Sequence, residues 1–203
     1  MRLASAFTRG LLEVCEGQAM DLDFESRDDV TVRDYFTMIE LKTGCLLSLS
    51  CEMGGLLGGG RPGELRALRR FGHFLGRAFQ LQDDLLDVVA DQRRLGKPIG
   101  GDIIEGKRTY LLLTALARAR GEDLRTLRSV VNTRRRPGGP RQPRRGIIGR
   151  VTEIYRRTGV LRDTERLVRV NTGRALSALD RLRPSPARES LRWMAEQLVQ
   201  RAS

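Results

Sequence analysis

The chain has 203 residues and a mass of 22.8 kDa, with 40% hydrophobic and 31% charged residues and seven prolines. This is enough apolar material for one packed core and too much for a disordered or collagen-like chain. The formal net charge of +12 is lopsided: residues 1–117 carry 15 basic and 17 acidic side chains, residues 118–203 carry 22 and 8.

Leu, Val, Ile and Ala recur at three- and four-residue spacing from end to end, and no alternating strand pattern appears, so the sequence predicts one all-α domain over residues 1–203. No apolar run approaches the ~20 residues of a membrane-spanning helix, and Thr8-Arg9-Gly10 interrupts the start before a secretory leader could form. A cytoplasmic protein without a transmembrane segment follows. Leu3 to Asp21 reads as the first helix. Thr31 with Asp34 forms a capping box that opens a long helix running through Tyr35, Ile39, Leu41, Leu46 and Leu49 to Gly54-Gly55. The Gly58-Gly59-Gly60 run and Pro62 stop that helix and start the next, which extends to about Asp91. Leu95–Gly106, rich in glycine, is expected to be a loop. Helices at about 107–119, 122–131, 147–158, 161–182 and 186–201 complete the chain. Asn132–Gly146 packs six arginines, three prolines and three glycines into fifteen residues and is expected to be an exposed linker. Cys15, Cys45 and Cys51 have no metal-ligand spacing and sit in apolar stretches, where they read as small buried hydrophobes. The one histidine, His73, leaves little room for His-based metal or triad chemistry.

Of the 37 basic residues 34 are arginine, which leaves Lys42, Lys97 and Lys107 as exceptions. A compact ammonium and a planar guanidinium are not equivalent at a tight phosphate site, so these three mark candidate anion contacts. The sharpest chemistry lies in Phe79-Gln80-Leu81-Gln82-Asp83-Asp84-Leu85-Leu86-Asp87. At about 100° per residue, Asp83, Asp84 and Asp87 fall in one wedge of the helix, with Gln80 a turn earlier. Like charges so close raise one another's pKa unless a cation lies over them, and hard oxygen ligands on a rigid helix suit Mg²⁺. The alternative is a solvated acidic face. Leu95-Gly96-Lys97-Pro98-Ile99-Gly100-Gly101-Asp102 and Glu105-Gly106-Lys107-Arg108-Thr109 follow, placing glycines and two of the three lysines just after the carboxylates. In Ile39-Glu40-Leu41-Lys42-Thr43-Gly44 a lysine and a hydroxyl interrupt an apolar helix, with Gly44 leaving space beside them; read alone, Lys42 would snorkel to solvent.

These pieces, in this order, resemble the trans-isoprenyl diphosphate synthases, the polyprenyl synthetase family. The resemblance rests on Glu16-Gly17-Gln18 with Asp21, Lys42-Thr43-Gly44, FQLQDDLLD as a second aspartate-rich motif, LGKPIGGD and EGKRT, and it covers roughly residues 7–117. It implies an all-α helical bundle of the isoprenoid synthase type, allylic diphosphate and isopentenyl diphosphate as substrates, Mg²⁺ as cofactor, and a homodimer. It further implies that Asp83, Asp84 and Asp87 ligate Mg²⁺, and that Lys42, Thr43, Gln80, Lys97 and Lys107 contact the allylic diphosphate or the departing pyrophosphate. The reaction it implies joins isopentenyl diphosphate to the allylic substrate to give a longer trans-prenyl diphosphate.

The family's first aspartate-rich motif lies upstream of the Glu-Gly-Gln segment, so the sequence reads as N-terminally incomplete. Asp28-Asp29-Val30-Thr31-Val32-Arg33-Asp34 mimics the spacing of that motif but follows the segment and straddles a helix cap, which makes it a decoy. Two other readings stand beside the enzyme: a non-catalytic prenyl synthase-like subunit, and a basic nucleic-acid-binding protein. The second is disfavoured because the basic half holds only Tyr155 and Trp193 as aromatics and spreads its arginines at amphipathic spacing, so no nucleic acid is expected.

Overall fold

The computed structural model describes residues 2–89, 99–133 and 146–200. Their regular structure is helical, with no strand among the described residues. The elements are α1 (Arg2–Asp23), α2 (Val32–Ile39), a π-helical turn (Glu40–Gly44), α3 (Cys45–Leu57), α4 (Pro62–Val89), α5 (Gly101–Glu105), α6 (Tyr110–Arg118), α7 (Gly121–Thr133), α8 (Ile147–Arg157), α9 (Val160–Leu179) and α10 (Pro186–Gln200). Contacts group them into two compact units, the first formed by Met1–Asp21, Phe36–Gln80 and Leu167–Ser203 and the second by Leu22–Tyr35 and Leu81–Arg166.

Local chemistry explains the boundaries. The Thr31 amide donates to Asp34 Oδ2 at 2.9 Å and the Asp34 amide donates to Thr31 Oγ1 at 3.2 Å, a reciprocal capping box that opens α2. Pro62 occupies the first position of α4, where its missing N–H costs no bond, and the Arg61 amide donates to Glu64 Oε2 at 2.8 Å. Along α4, Ala67, Phe71, Leu75, Ala78, Leu81, Leu85 and Val88 form the buried stripe, at steps of three and four that keep one face inward.

The first unit packs Phe71 and Leu75 of α4 against Ala175, Ala178 and Leu179 of α9 and Ala195 of α10. The second packs Val88 and Ile103 with Leu111, Leu112 and Ala115 of α6, Leu127 of α7, and Val151, Ile154 and Tyr155 of α8. Burying each large aliphatic side chain contributes about 1.5–3 kcal/mol. In the second unit the buried Arg108 ties a loop to this core, donating to the carbonyls of Gly106 at 2.8 Å and Arg27 at 3.0 Å.

Several expectations are corrected. The long helix from Thr31 is broken in register by the π turn, where the Cys45 amide reaches back five residues to Glu40 O. The turn sits where backbones meet: a Cβ on Gly76 would lie 2.5 Å from Gly44 Cα, and one on Gly17 2.3 Å from Lys42 N. The space left by Gly44 is thus filled by the backbone of α4. Leu95–Gly106 is not all loop, because Gly101–Glu105 forms α5, flanked by Gly100 and Gly106 at φ of 80° and 60°. Cys15 is exposed, because α1 turns the Phe7–Leu11–Cys15 edge outward, and Cys45 and Cys51 are only partly buried. Within the expected 132–146 linker, residues 132 and 133 close α7 and Gly146 precedes α8; the rest lies outside the described residues.

Candidate functional site

In the first unit, the Lys42 ammonium donates to Asp21 Oδ2 at 2.6 Å, and Thr43 Oγ1 donates to Gln80 Oε1 at 3.0 Å. Lys42 therefore does not simply snorkel; it is clamped by a carboxylate of the Glu16–Asp21 segment, and the bare Cα of Gly17 lets α1 approach closely enough for that pairing. One turn earlier on the same stretch, Arg77 stacks its guanidinium 4.4 Å from the Phe36 ring centroid and pairs with Glu40 at 3.4 Å. The π turn gives neighbouring residues Lys42 and Thr43 separate partners on α1 and α4, a use of such turns that recurs at functional sites.

In the second unit, the three aspartates of α4 are graded from solvent to core. Asp83 is exposed, Asp87 is half-buried, and Asp84 is buried on the apolar stripe beside Leu81, Leu85 and Val88. Asp84 Oδ2 accepts a 2.7 Å bond from the hydroxyl of the equally buried Tyr35. Asp87 Oδ2 accepts from the Asp102 amide at 3.0 Å, and Asp87 O accepts from the Gly100 amide at 2.7 Å, so the start of α5 is fastened to α4 at this residue. The Lys107 ammonium lies 3.4 Å from Asp102 Oδ1. A Cβ on Gly101 would stand 3.4 Å from Asp87 Oδ1, so glycine there keeps the carboxylate uncrowded.

The electrostatics show how negative this region is. Burial pushes the Asp102 carboxyl up to about 6; Lys107 opposes the rise, and Asp87 and Asp83 reinforce it. The buried Tyr155 hydroxyl is held well above the ordinary phenol range by burial, then by Asp102, Asp84 and Asp87. Tyr35 is raised in the same way, by burial and then by Asp84. Four carboxylates thus share one neighbourhood with a single described ammonium, Lys107, paired to it. Among the described residues no three Asp, Glu, His or Cys side chains converge so as to hold a metal ion by themselves. Hard oxygen donors and the bare Cα of Gly101 beside Asp87 nonetheless suit Mg²⁺, which keeps waters and completes its shell with substrate phosphate rather than an all-protein cage.

Lys97 lies outside the described residues. The decoy carboxylates serve the loop that carries them: Asp29 takes 2.8 and 2.9 Å bonds from Arg27, Asp28 faces Arg108 at 3.8 Å, and Asp34 belongs to the capping box. Sequence reasoning assigned no role to Tyr35, Asp102 or Tyr155. The available signal was that a tyrosine on an apolar helical face needs a partner for its hydroxyl.

The polyprenyl synthetase family model matches residues 1–139 of the chain. The short chain isoprenyl diphosphate synthase of Methanothermobacter thermautotrophicus is 37% identical over 190 residues, covering 94% of this chain and 56% of that protein. The octaprenyl diphosphate synthase of Escherichia coli is 31% identical over 201 residues, covering 99% of this chain and 60% of that one. Among solved structures, the geranylgeranyl pyrophosphate synthase of Corynebacterium glutamicum complexed with isoprenyl diphosphate and magnesium aligns with a TM-score of 0.88 at 34% identity, over 98% of this chain and 55% of that one. The chain therefore spans little more than half the length of these relatives.

Proposed function

The chain belongs to the polyprenyl synthetase family, and from that premise we propose that it takes part in Mg²⁺-dependent prenyl transfer, joining isopentenyl diphosphate to an allylic diphosphate to give a longer trans-prenyl diphosphate. The observation that carries this reading is the gathering of Asp83, Asp84, Asp87 and Asp102 in the second unit, where Asp87 and Asp83 add to the rise that burial gives the Asp102 carboxyl. Asp83, Asp84 and Asp87 hold Mg²⁺ in this reading. The ion supplies neutralisation of the diphosphate that departs when the allylic carbon–oxygen bond ionises. Lys107 and Lys97 add ammonium groups for the phosphate oxygens, and Lys42, prepaired to Asp21, adds a third. Thr43 and Gln80 present a hydroxyl and an amide to the allylic diphosphate. Such groups contribute most where charge develops, on the leaving pyrophosphate. The isopentenyl double bond then attacks the allylic cation, and loss of a proton completes the lengthened chain.

A homodimer is part of the same reading, supported by the exposed apolar residues of α1, with Phe7 at 48%, Leu11 at 45% and Leu12 at 60% exposure. A cytoplasmic location belongs to the same reading; no helix among the described residues is long and apolar enough to cross a membrane. The test is incubation of the chain with farnesyl diphosphate, labelled isopentenyl diphosphate and Mg²⁺. Labelled longer prenyl diphosphate, absent when EDTA is added, is the expected result. Mg²⁺-dependent diphosphate binding with no product would favour a non-catalytic subunit instead.

A further inference from the structure

One buried polar contact in the second unit has no role in the reaction outlined above. Tyr35 closes the first turn of α2 at 1% exposure, and its hydroxyl donates to Asp84 Oδ2 at 2.7 Å across 49 residues of chain. The distance is that of a well-formed O–H···O bond, and a bond of this kind to an ionised carboxylate is about twice as strong as a neutral one. Asp84 occupies a position that packing alone would give to an apolar residue, between Leu81 and Val88 on the stripe of α4. Burying a carboxylate there gives up its hydration, and replacing a buried ionic group by a hydrophobe is often neutral or stabilising. A purely structural contact therefore explains the pair poorly.

An aspartate's terminal torsion lies in a broad, roughly two-fold well, so a carboxylate with nothing to hold it samples many orientations. A phenol locked in the core by its own packing fixes that torsion. We infer that Tyr35 is a positioning residue, which holds the Asp84 carboxylate in the one orientation that serves the Mg²⁺ and diphosphate bound along α4. The inference rests on the metal-binding reading of Asp83, Asp84 and Asp87. It explains why the aspartate next to the exposed Asp83 is buried: Asp84 is fixed from the core side, while Asp83 is exposed and the half-buried Asp87 turns to the start of α5. Partners that orient metal-binding groups from behind typically control metal affinity by about 10–100-fold.

The test is calorimetric titration of the 203-residue chain with inorganic pyrophosphate at a series of Mg²⁺ concentrations, for the wild type, Tyr35→Phe, Asp84→Asn, the double variant and Asp83→Ala. Tyr35→Phe should raise the Mg²⁺ concentration needed for half-maximal binding about tenfold or more, while saturating Mg²⁺ restores pyrophosphate affinity. Adding Tyr35→Phe to Asp84→Asn should cause no further loss, since the phenol acts through that carboxylate. A folded Tyr35→Phe with an unchanged Mg²⁺ midpoint, or additive losses in the double variant, overturns the inference. Replacing Tyr35 by 3-fluorotyrosine keeps the hydroxyl should removing it cost folding, and its fluorine resonance should move as Mg²⁺ and pyrophosphate saturate; a resonance that stays fixed also overturns it. Wild-type binding that is lost in Asp83→Ala but untouched by Tyr35→Phe sinks this inference alone. A wild type that binds no pyrophosphate at any Mg²⁺ concentration sinks the metal-binding reading with it.

Discussion

Gly17 is the point where α1 meets the π turn, and alanine there tests whether that approach shapes the lysine site. A Cβ on Gly17 would lie 2.3 Å from Lys42 N and 2.8 Å from both Leu41 C and Lys42 Cα. Every one of those atoms is backbone, so no flexible side chain can swing aside, and the two segments must separate. Alanine in a helix interior gains roughly 0.5–1 kcal/mol over glycine, whereas forced overpacking costs about 1–3 kcal/mol. The clash wins, and Gly17→Ala should lose about 1–2 kcal/mol. Gly54, inside α3, has nothing within 4 Å of its would-be Cβ, so Gly54→Ala should show the helix gain alone. Thermal unfolding followed by circular dichroism reads both, since 1 kcal/mol moves Tm by about 2–4 °C at this chain length. Gly17→Ala should melt about 2–8 °C below the wild type and Gly54→Ala a few degrees above it. Equal stabilisation by both substitutions would refute the close approach, and with it the argument that α1 places Asp21 against Lys42.

Arg108→Ala should cost about 3 kcal/mol in denaturant unfolding, because one buried and one partly buried carbonyl lose a charged donor; Arg108→Lys should recover little, since one ammonium does not span both. His73 is held below the ordinary histidine range by burial, with Glu40 partly opposing and Arg77 and Arg70 adding to the effect. Above about pH 6.5 both folded and unfolded chains carry it neutral and it adds nothing; as pH falls below that value the unfolded chain takes the proton first and stability is lost. The stability of the wild type relative to His73→Phe should therefore fall between pH 7 and 5.5, and a pH-independent difference would contradict this sign. At pH 8 a maleimide should label Cys15 at least about tenfold faster than Cys45 and Cys51, because Cys15 is exposed while burial pushes the other two thiols up to about 12 and about 11. Peptide mapping after partial labelling checks the order.

The helices were legible wherever spacing, caps and glycine or proline punctuation agreed: the Thr31–Asp34 box, Pro62 and the stripe of α4 all stand where the pattern put them. The π turn was not, because one extra residue in a turn leaves the apolar composition unchanged, and only the structure shows that the widened turn lies where Gly76 and Gly17 approach it. The carboxylates of α4 were found by their spacing, but a helical wheel assigns angles and not depth. It grouped Asp83, Asp84 and Asp87 as one face, while tertiary packing sinks Asp84 beneath the others. Asp102 stood in plain view in LGKPIGGD yet looked like a loop residue, since nothing local indicates that its amide fastens Asp87 or that four carboxylates share the region. Tyr35 read as a core aromatic for the same reason: its partner is 49 residues away.

The central claim is that the carboxylates of α4 bind a diphosphate through Mg²⁺, and calorimetric titration of the chain with farnesyl diphosphate, with and without Mg²⁺, tests it most directly. The wild type should bind with Mg²⁺ and lose that binding in EDTA, and Asp83→Ala should abolish the Mg²⁺-dependent part without lowering Tm, because Asp83 is exposed and its removal relieves repulsion. Binding that is indifferent to Mg²⁺, or an Asp83→Ala chain that binds as the wild type does, would contradict the account and leave the three aspartates as a solvated acidic face.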